Sequence, residues 1–178
     1  MLENFKVLFN EEQLQNRISE IANQISLDYS GEEIVMVCVL KGASYFAVDL
    51  SKKISSSDVI IDFVKISSYG IGARESTGNI DFTLDLSENV ENKNVIIVED
   101  IIDSGVTLNY LSDYIKSKNP KSLKICVLLD KYERRTQGIQ VDYTGFKIEN
   151  KFVLGYGLDY DEKYRNLPFV CYVDDIND

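Results

Sequence analysis

The sequence predicts an open α/β sheet wrapped by helices, on three observations. Segments Ile34 to Leu40, Asn94 to Asp100 and Leu123 to Asp130 carry near-continuous apolar runs, as strands covered on both faces must. Between them lie stretches whose apolar residues recur at helical spacing. No linker or internal repeat divides the 178 residues, a length that fits one domain with a core of its own.

The elements follow in order. Asn10 with Gln13 three residues on forms a capping-box signal, and Leu14, Ile18, Ile21, Ala22 and Ile25 continue it as one apolar helical face, with Gly31 as the stop. Ile34 to Leu40 is a buried strand, followed by a short helix over Ser44 to Ile54 and a strand over Asp58 to Ser67. Ser68 to Asn79 is polar, Gly-rich and long for a connection in a compact domain, which marks it as a candidate active-site lid. Ile80 to Leu86 alternates as a half-exposed strand. Asn94 to Asp100 is a buried strand, and the helix after Gly105 uses Leu108, Leu111 and Ile115 before Asn119-Pro120 ends it. Leu123 to Asp130 is the next buried strand, and the tail reads as β over Phe152 to Tyr160 and Pro168 to Val173.

Composition narrows the chemistry. With 44% hydrophobic residues, ten Gly and two Pro, neither disorder nor a collagen-like repeat fits. The longest apolar run is seven residues, so no helical span is expected, and the start has no apolar h-region, so no signal peptide is expected. There is no histidine, which excludes Ser-His-Asp and Cys-His machinery and leaves acid–base work to Asp, Glu, Lys or Tyr. Cys38, Cys126 and Cys171 sit apart in apolar stretches and read as buried core thiols of a cytoplasmic protein. The balance of 19 basic to 29 acidic residues, net −10, argues against a nucleic-acid partner.

In an open α/β sheet, ligands bind beyond the carboxyl ends of the strands. Three such ends carry polar residues: Leu40-Lys41-Gly42, Glu99-Asp100 to Thr107, and Asp130-Lys131. The central one is the most informative. A buried strand delivers Glu99, Asp100 and Asp103, and Ser104-Gly105-Val106-Thr107 then opens a helix. Free backbone N–H groups with two hydroxyls and a permissive Gly form a cradle for one phosphate, and adjacent acids suit ribose hydroxyls, directly or through Mg²⁺. A short Ser-Gly-Val-Thr alone would be no more than an acidic helix start.

Glu99-Asp-Ile-Ile-Asp-Ser-Gly-Val-Thr107 resembles the phosphoribosyl-pyrophosphate (PRPP) signature of the type I phosphoribosyltransferases, in the form used by the 6-oxopurine enzymes. The resemblance covers nearly the whole chain. Cys38 to Ala43 is similar to the family's pyrophosphate loop, and Ser67 to Gly70 to the start of its flexible lid. Leu128 to Arg135 and Lys151 to Pro168 are similar to the purine-binding hood of the bacterial hypoxanthine(-guanine) enzymes, and are the most specific part of the match. It implies a single domain over 1–178: a mostly parallel twisted sheet flanked by helices, a hood from the N-terminal segment and about 131–178, and a lid over about 68–79.

The resemblance also implies roles. The reaction joins N9 of hypoxanthine, and of guanine, to the ribose of PRPP and releases pyrophosphate, as a step of purine salvage. The 5′-phosphate would lie on Asp103, Ser104, Gly105, Val106 and Thr107, with Glu99 and Asp100 holding the ribose diol and its Mg²⁺. Asp103 would serve as general base at the purine, and Lys131 would donate to its 6-oxo group. Ile101 and Phe152 would sandwich the ring, and Val153 and Asp159 would read its edge. Asp159 would also ligate a second Mg²⁺ against the pyrophosphate bound by Lys41, Gly42 and Arg165, and Ser68 and Tyr69 would close over it. A homo-oligomer, dimer or tetramer, is implied as well, with no membrane partner.

Some residues keep a plainer reading. Tyr156 and Tyr160 read as packing, and Glu133, Arg134 and Arg135 as a solvated charge cluster or a subunit contact. Tyr132 stands where many bacterial relatives carry Pro, which would free the backbone beside Lys131. Two rivals share parts of the pattern. A regulator built on the same fold, sensing PRPP or nucleotide and binding nucleic acid, lacks the basic face it would need. A receiver-type domain has no place for the lid or the hood.

Overall fold

The computed structural model describes residues 5–55, 57–67, 81–136 and 138–173. The expected lid, with Ser68 and Tyr69, lies outside them. The described chain runs β1 (Phe5–Phe9), α1 (Glu11–Asp28), β2 (Ile34–Val39), α2 (Ser44–Lys53), β3 (Val59–Ser67), β4 (Asp81–Leu84), β5 (Asn94–Ile102), α3 (Val106–Lys116), β6 (Ser122–Asp130), a 3₁₀ turn (Tyr132–Arg134), β7 (Tyr143–Lys147), β8 (Val153–Leu154) and β9 (Val170–Val173).

The main sheet has six strands in the order β4-β3-β2-β5-β6-β7. β3, β2, β5, β6 and β7 are parallel, and β4 returns antiparallel along β3. All six residues of β2 are buried because the strand is covered on both faces. Ile34, Met36 and Cys38 join a core with α1 and α2 on one side, while Val35, Val37 and Val39 join a core with α3 on the other. β5 divides in the same way, with Ile96 and Val98 on the first side and Val95 and Ile97 on the second.

α1 begins at the expected capping box: Asn10 accepts from Gln13 N at 2.8 Å and donates its own N–H to Gln13 Oε1 at 2.9 Å. Its buried face is Leu14, Ile18, Ile21, Ala22 and Ile25, with Ser26. Arg17 clamps this helix to β7 by donating to the carbonyls of Gly145 and Thr144.

Three strands escape the sequence reading or shift against it. β1 and β7 are short, and only their partners make them strands: β1 lies antiparallel to β9, and β7 lies parallel to β6. The tail carries less strand than its alternation implies. β8 is two residues long, and Gly155 to Lys163 is a chain of turns with two isolated bridges. Left-handed backbone at Gly155, Tyr156, Gly157, Asp161, Glu162 and Tyr164 breaks any extended run there.

β1, β9 and β8 form a second, three-stranded sheet with β9 central, so the first and last described strands pair. Val153, Tyr156, Leu158 and Val170 pack it onto the α1/α2 side of the core. Phe9 stacks on Phe146 of β7 with ring centroids 3.9 Å apart, tying the small sheet to the edge of the large one. Cys38, Cys126 and Cys171 are free and buried. No helix among the described residues is long and apolar enough to cross a membrane.

Candidate active site

β2 leads through α2 to β3 on one side, and β5 leads through α3 to β6 on the other. The strand order therefore reverses between β2 and β5, and a crevice opens beyond their carboxyl ends. A cavity of about 200 Å³ lies there, lined by Glu99, Asp100, Ile101, Ile102, Asp103, Ser104, Gly105, Thr107 and Leu108.

Gly105 caps α3 in the left-handed conformation, φ 83°, which a side chain would strain. The cap residue has no side chain and the Val106 N–H donates to Ser104 Oγ at 3.4 Å, which leaves the other first-turn N–H groups at the cavity end of α3 without a partner within the helix. β5 runs two residues further than its sequence implies, to Ile102, and Glu99 and Asp100 stand on the strand as expected. Burial lifts the Glu99 carboxyl well above the usual carboxylate range, and the charge of Asp100 adds to it. Burial raises Asp100 too, against its own hydrogen bonds and the nearby Arg165 guanidinium. The same two acids, after burial itself, push the Cys38 thiol up to about 12, so it stays a protonated core residue.

Gly42 is wedged between this acid pair and the tail. A Cβ on it would lie 1.6 Å from Asp100 Oδ2, and a Cβ on Gly157 would lie 2.0 Å from the Gly42 carbonyl oxygen. The Leu40–Lys41 peptide beside it is cis. Lys41 Nζ donates to Glu162 Oε2 at 2.7 Å. Arg165 is largely buried: it meets Asp159 Oδ1 at 2.8 Å, Glu162 Oε2 at 3.4 Å and the Gly157 carbonyl at 2.8 Å. Lys41, Gly42, Asp159 and Arg165 are thereby joined through Glu162, a neighbour of Arg165 in sequence, and Gly157, which the sequence reading did not single out. Gly155-Tyr-Gly157 was the available signal.

Across the cavity, Lys131 follows β6 and is 11% exposed. Burial holds its ammonium below the ordinary lysine value; the charge of Asp103 opposes that shift and Arg134 adds to it. Lys131 Nζ stands 4.0 Å from Asp103 Oδ2, and Arg134 Nε stands 2.8 Å from Asp103 Oδ1. Ile101 is half-buried and packs against the core beside the cavity. Phe152 is 41% exposed, not a core residue, and meets Tyr160 edge-on at 5.7 Å. Val153 is buried in β8.

The plainer readings hold in part. Arg134 is exposed as expected yet meets Asp103, whereas Arg135 is part-buried and grips buried Asp130 through Nε at 3.0 Å and its terminal nitrogen at 2.7 Å. Both contacts bridge segments far apart in sequence or close a turn, and a run of charges on paper carries no signal of either. Tyr160 is exposed against Phe152, whereas Tyr156 is buried and donates to Asp49 at 2.7 Å. Tyr132 opens a 3₁₀ turn in which Arg134 N bonds the Lys131 carbonyl at 3.0 Å.

The comparisons agree with this geometry. Residues 7–161 match the family model of the phosphoribosyl transferase domain. The chain is 44% identical over 165 residues to a hypoxanthine-guanine phosphoribosyltransferase of Streptococcus thermophilus, covering 93% of this chain and 91% of that protein. It is 47% identical to a bifunctional TilS/HprT protein of Listeria innocua, of whose length it spans only 25% while 93% of this chain is covered. A crystal structure of a hypoxanthine-guanine phosphoribosyltransferase from Bacillus anthracis, with HEPES in its active site, superposes with a TM-score of 0.89 at 50% identity, covering 94% of this chain and 98% of that one. By sequence and fold together, the chain belongs to the phosphoribosyl transferase family, in its hypoxanthine-guanine branch.

Proposed function

We propose that this chain transfers the 5-phosphoribosyl group of PRPP to N9 of hypoxanthine or guanine, releasing pyrophosphate, as a step of purine salvage. The observation that carries the reading is the convergence at one crevice of an open helix N-terminus, a buried acid pair and a half-buried lysine facing an aspartate. A purely sensory protein would need the first two but has no use for the third.

The 5′-phosphate lies on the first turn of α3, held by backbone N–H groups from Ser104 to Thr107, with the Ser104 and Thr107 hydroxyls beside them. Glu99 and Asp100 face the ribose diol. Lys41, the Gly42 backbone and Arg165 receive the pyrophosphate, exchanging their contacts with Glu162 for it. The base enters between Ile101 and Phe152, its edge toward Val153 and Asp159, and Lys131 donates to its 6-oxo group. As N9 bonds to C1′, the C1′–oxygen bond to pyrophosphate breaks and its electron pair leaves with the pyrophosphate. The imidazole-ring proton of the base goes to Asp103, which stands beside Lys131. Such an oxocarbenium-like step depends on positioning and leaving-group stabilisation more than on a strong nucleophile.

The residues present fit a hard divalent cation. Glu99 and Asp100 are buried like charges whose carboxyls are held above their usual range, and a cation on their oxygens would relieve both. Asp159 is the third candidate; no three such groups converge on one point among the described residues. We assign Mg²⁺ to the acid pair and a second to Asp159 with the pyrophosphate. When bound, it neutralises the leaving group's charge.

Adenine would set its 6-amino donor against Lys131, leaving two donors opposed, and a site built on one such hydrogen bond discriminates by roughly 10⁴-fold. The test is nucleoside monophosphate formation from PRPP and Mg²⁺ with hypoxanthine, guanine and adenine in parallel. Turnover of the 6-oxopurines alone supports the reading, and equal turnover of adenine removes the role given to Lys131. We attach to this reading a cytoplasmic location and a dimer or tetramer, the latter checked by sedimentation.

A further inference from the structure

We propose that Arg134 is a positioning residue for Asp103, holding that carboxylate so that Lys131 stays free to read the base. The inference rests on the function proposed above and adds to it a residue that the sequence reading left in a solvated cluster.

Asp103 sits on the bend between β5 and α3, where no regular backbone pairing restrains it. Its Oδ1 is shut off from solvent and accepts no hydrogen bond among the described residues, yet Arg134 Nε stands 2.8 Å away. The contact is one of charge with no N–H aligned on the oxygen. It fixes the orientation of the carboxyl group without using Oδ2. Oδ2 looks the other way, toward Lys131 Nζ at 4.0 Å, beyond hydrogen-bond reach.

The backbone of the turn is placed beside Asp103 independently of these side-chain contacts. Lys131 N bonds the Ile102 carbonyl at 3.0 Å and Thr136 N bonds the Ser104 carbonyl at 3.1 Å, so the 131–136 turn is braced to the 102–104 segment on both sides of Asp103. Arg135, locked on buried Asp130, fixes the turn from a third direction. One 3₁₀ turn therefore presents Lys131 and Arg134 to the two oxygens of one carboxylate. With both cations present, the ammonium is not needed to balance Asp103. Without Arg134, Asp103 is left with Lys131 as its nearest cation, and the pair closes from 4.0 Å into a direct bond that takes the donor away from the 6-oxo group.

The experiment is steady-state kinetics of the full chain with hypoxanthine and PRPP for wild type, Arg134→Gln, Arg134→Lys, Asp103→Asn and the Asp103→Asn/Arg134→Gln double variant, with melting temperatures alongside. Arg134→Gln should lower kcat/KM for hypoxanthine about tenfold while KM for PRPP stays within about twofold, and Arg134→Lys should recover most of the loss. In the Asp103→Asn background the same change should cost less than about twofold, because the carboxylate it serves is gone. An equal loss in both backgrounds, or a loss carried by KM for PRPP, overturns the inference, as does unchanged kinetics in Arg134→Gln. If wild type itself turns over no base, the proposed function falls first, so the two failures are told apart by the wild-type arm.

Discussion

The end of β5 and the turns from Gly155 to Arg165 both bring acids to the crevice, but by different means. Glu99 and Asp100 follow five consecutive buried residues of a central strand, flanked by β2 and β6. Their position is set by the backbone ladder, and their environment by the cores on either face. Asp159, Glu162 and Arg165 stand on turns with six left-handed residues, and ion pairs between side chains hold them in place. Lys41 and Glu162 are 50% and 66% exposed. Acids placed by the sheet are strongly perturbed and rigid. Charges placed by one another in water are weakly held, and can exchange partners when an anion arrives.

Gly42, where the two regions touch, should give the largest effect. Gly42→Ala puts a methyl group into the Asp100 carboxylate, and activity should fall by more than about 10²-fold, since displacing the acid pair by 1 Å or so misaligns the reacting atoms. Gly157→Ala pushes from the other side and also strains a φ of 99°, so its melting temperature should fall as well, by the equivalent of about 1–3 kcal/mol. If both variants behave as wild type, the close approach is not used.

Asp103→Asn should lower kcat about 10²-fold with KM for PRPP little changed, because the proton acceptor is lost and the phosphate cradle is not. Lys131→Gln should narrow the discrimination between hypoxanthine and adenine by about tenfold or more, read as the ratio of kcat/KM values.

Glu99→Gln tests the strand-held region through stability. An acid whose pKa is raised by folding favours the neutral form, so the cost of ionising it appears as pH rises above its ordinary value of 4.5. In chelator-treated protein the variant should match wild type near the acid end and exceed it by about 1–2 kcal/mol near neutrality, measured by denaturant melts across pH. Added Mg²⁺ should shrink that advantage by stabilising wild type. The smallest effect is expected from Glu162→Gln, which removes the exposed partner of Lys41; KM for pyrophosphate in the reverse reaction should shift by less than about threefold. A large change there would place Glu162 with the sheet-held groups instead.

Local pattern made much of this molecule legible. The capping box at Asn10, the continuous apolar runs of β2, β5 and β6, and the Ser104-Gly105 opening of α3 each depend on residues next to one another in sequence. Phe152 was less legible, because an aromatic residue in an apolar run reads as core until the fold leaves it 41% exposed beside Tyr160. Glu162 carried half a signal: its pairing with Arg165, three residues on, is local, but its bond to Lys41 is not.

What the sequence determined by itself is therefore the α/β class, the acids at the end of β5 and the Gly-capped start of α3, because a strand running into a helix start is a local event with a local pattern. The tertiary structure decided the rest. It made strands of β1 and β7 by supplying partners, paired the first and last described strands in the β1-β9-β8 sheet, wedged Gly42 between Asp100 and Gly157, and turned Arg134 onto Asp103. Each of these is a contact between segments that gain nothing from one another until the sheet has brought them together, and a contact of that kind leaves no periodicity to read.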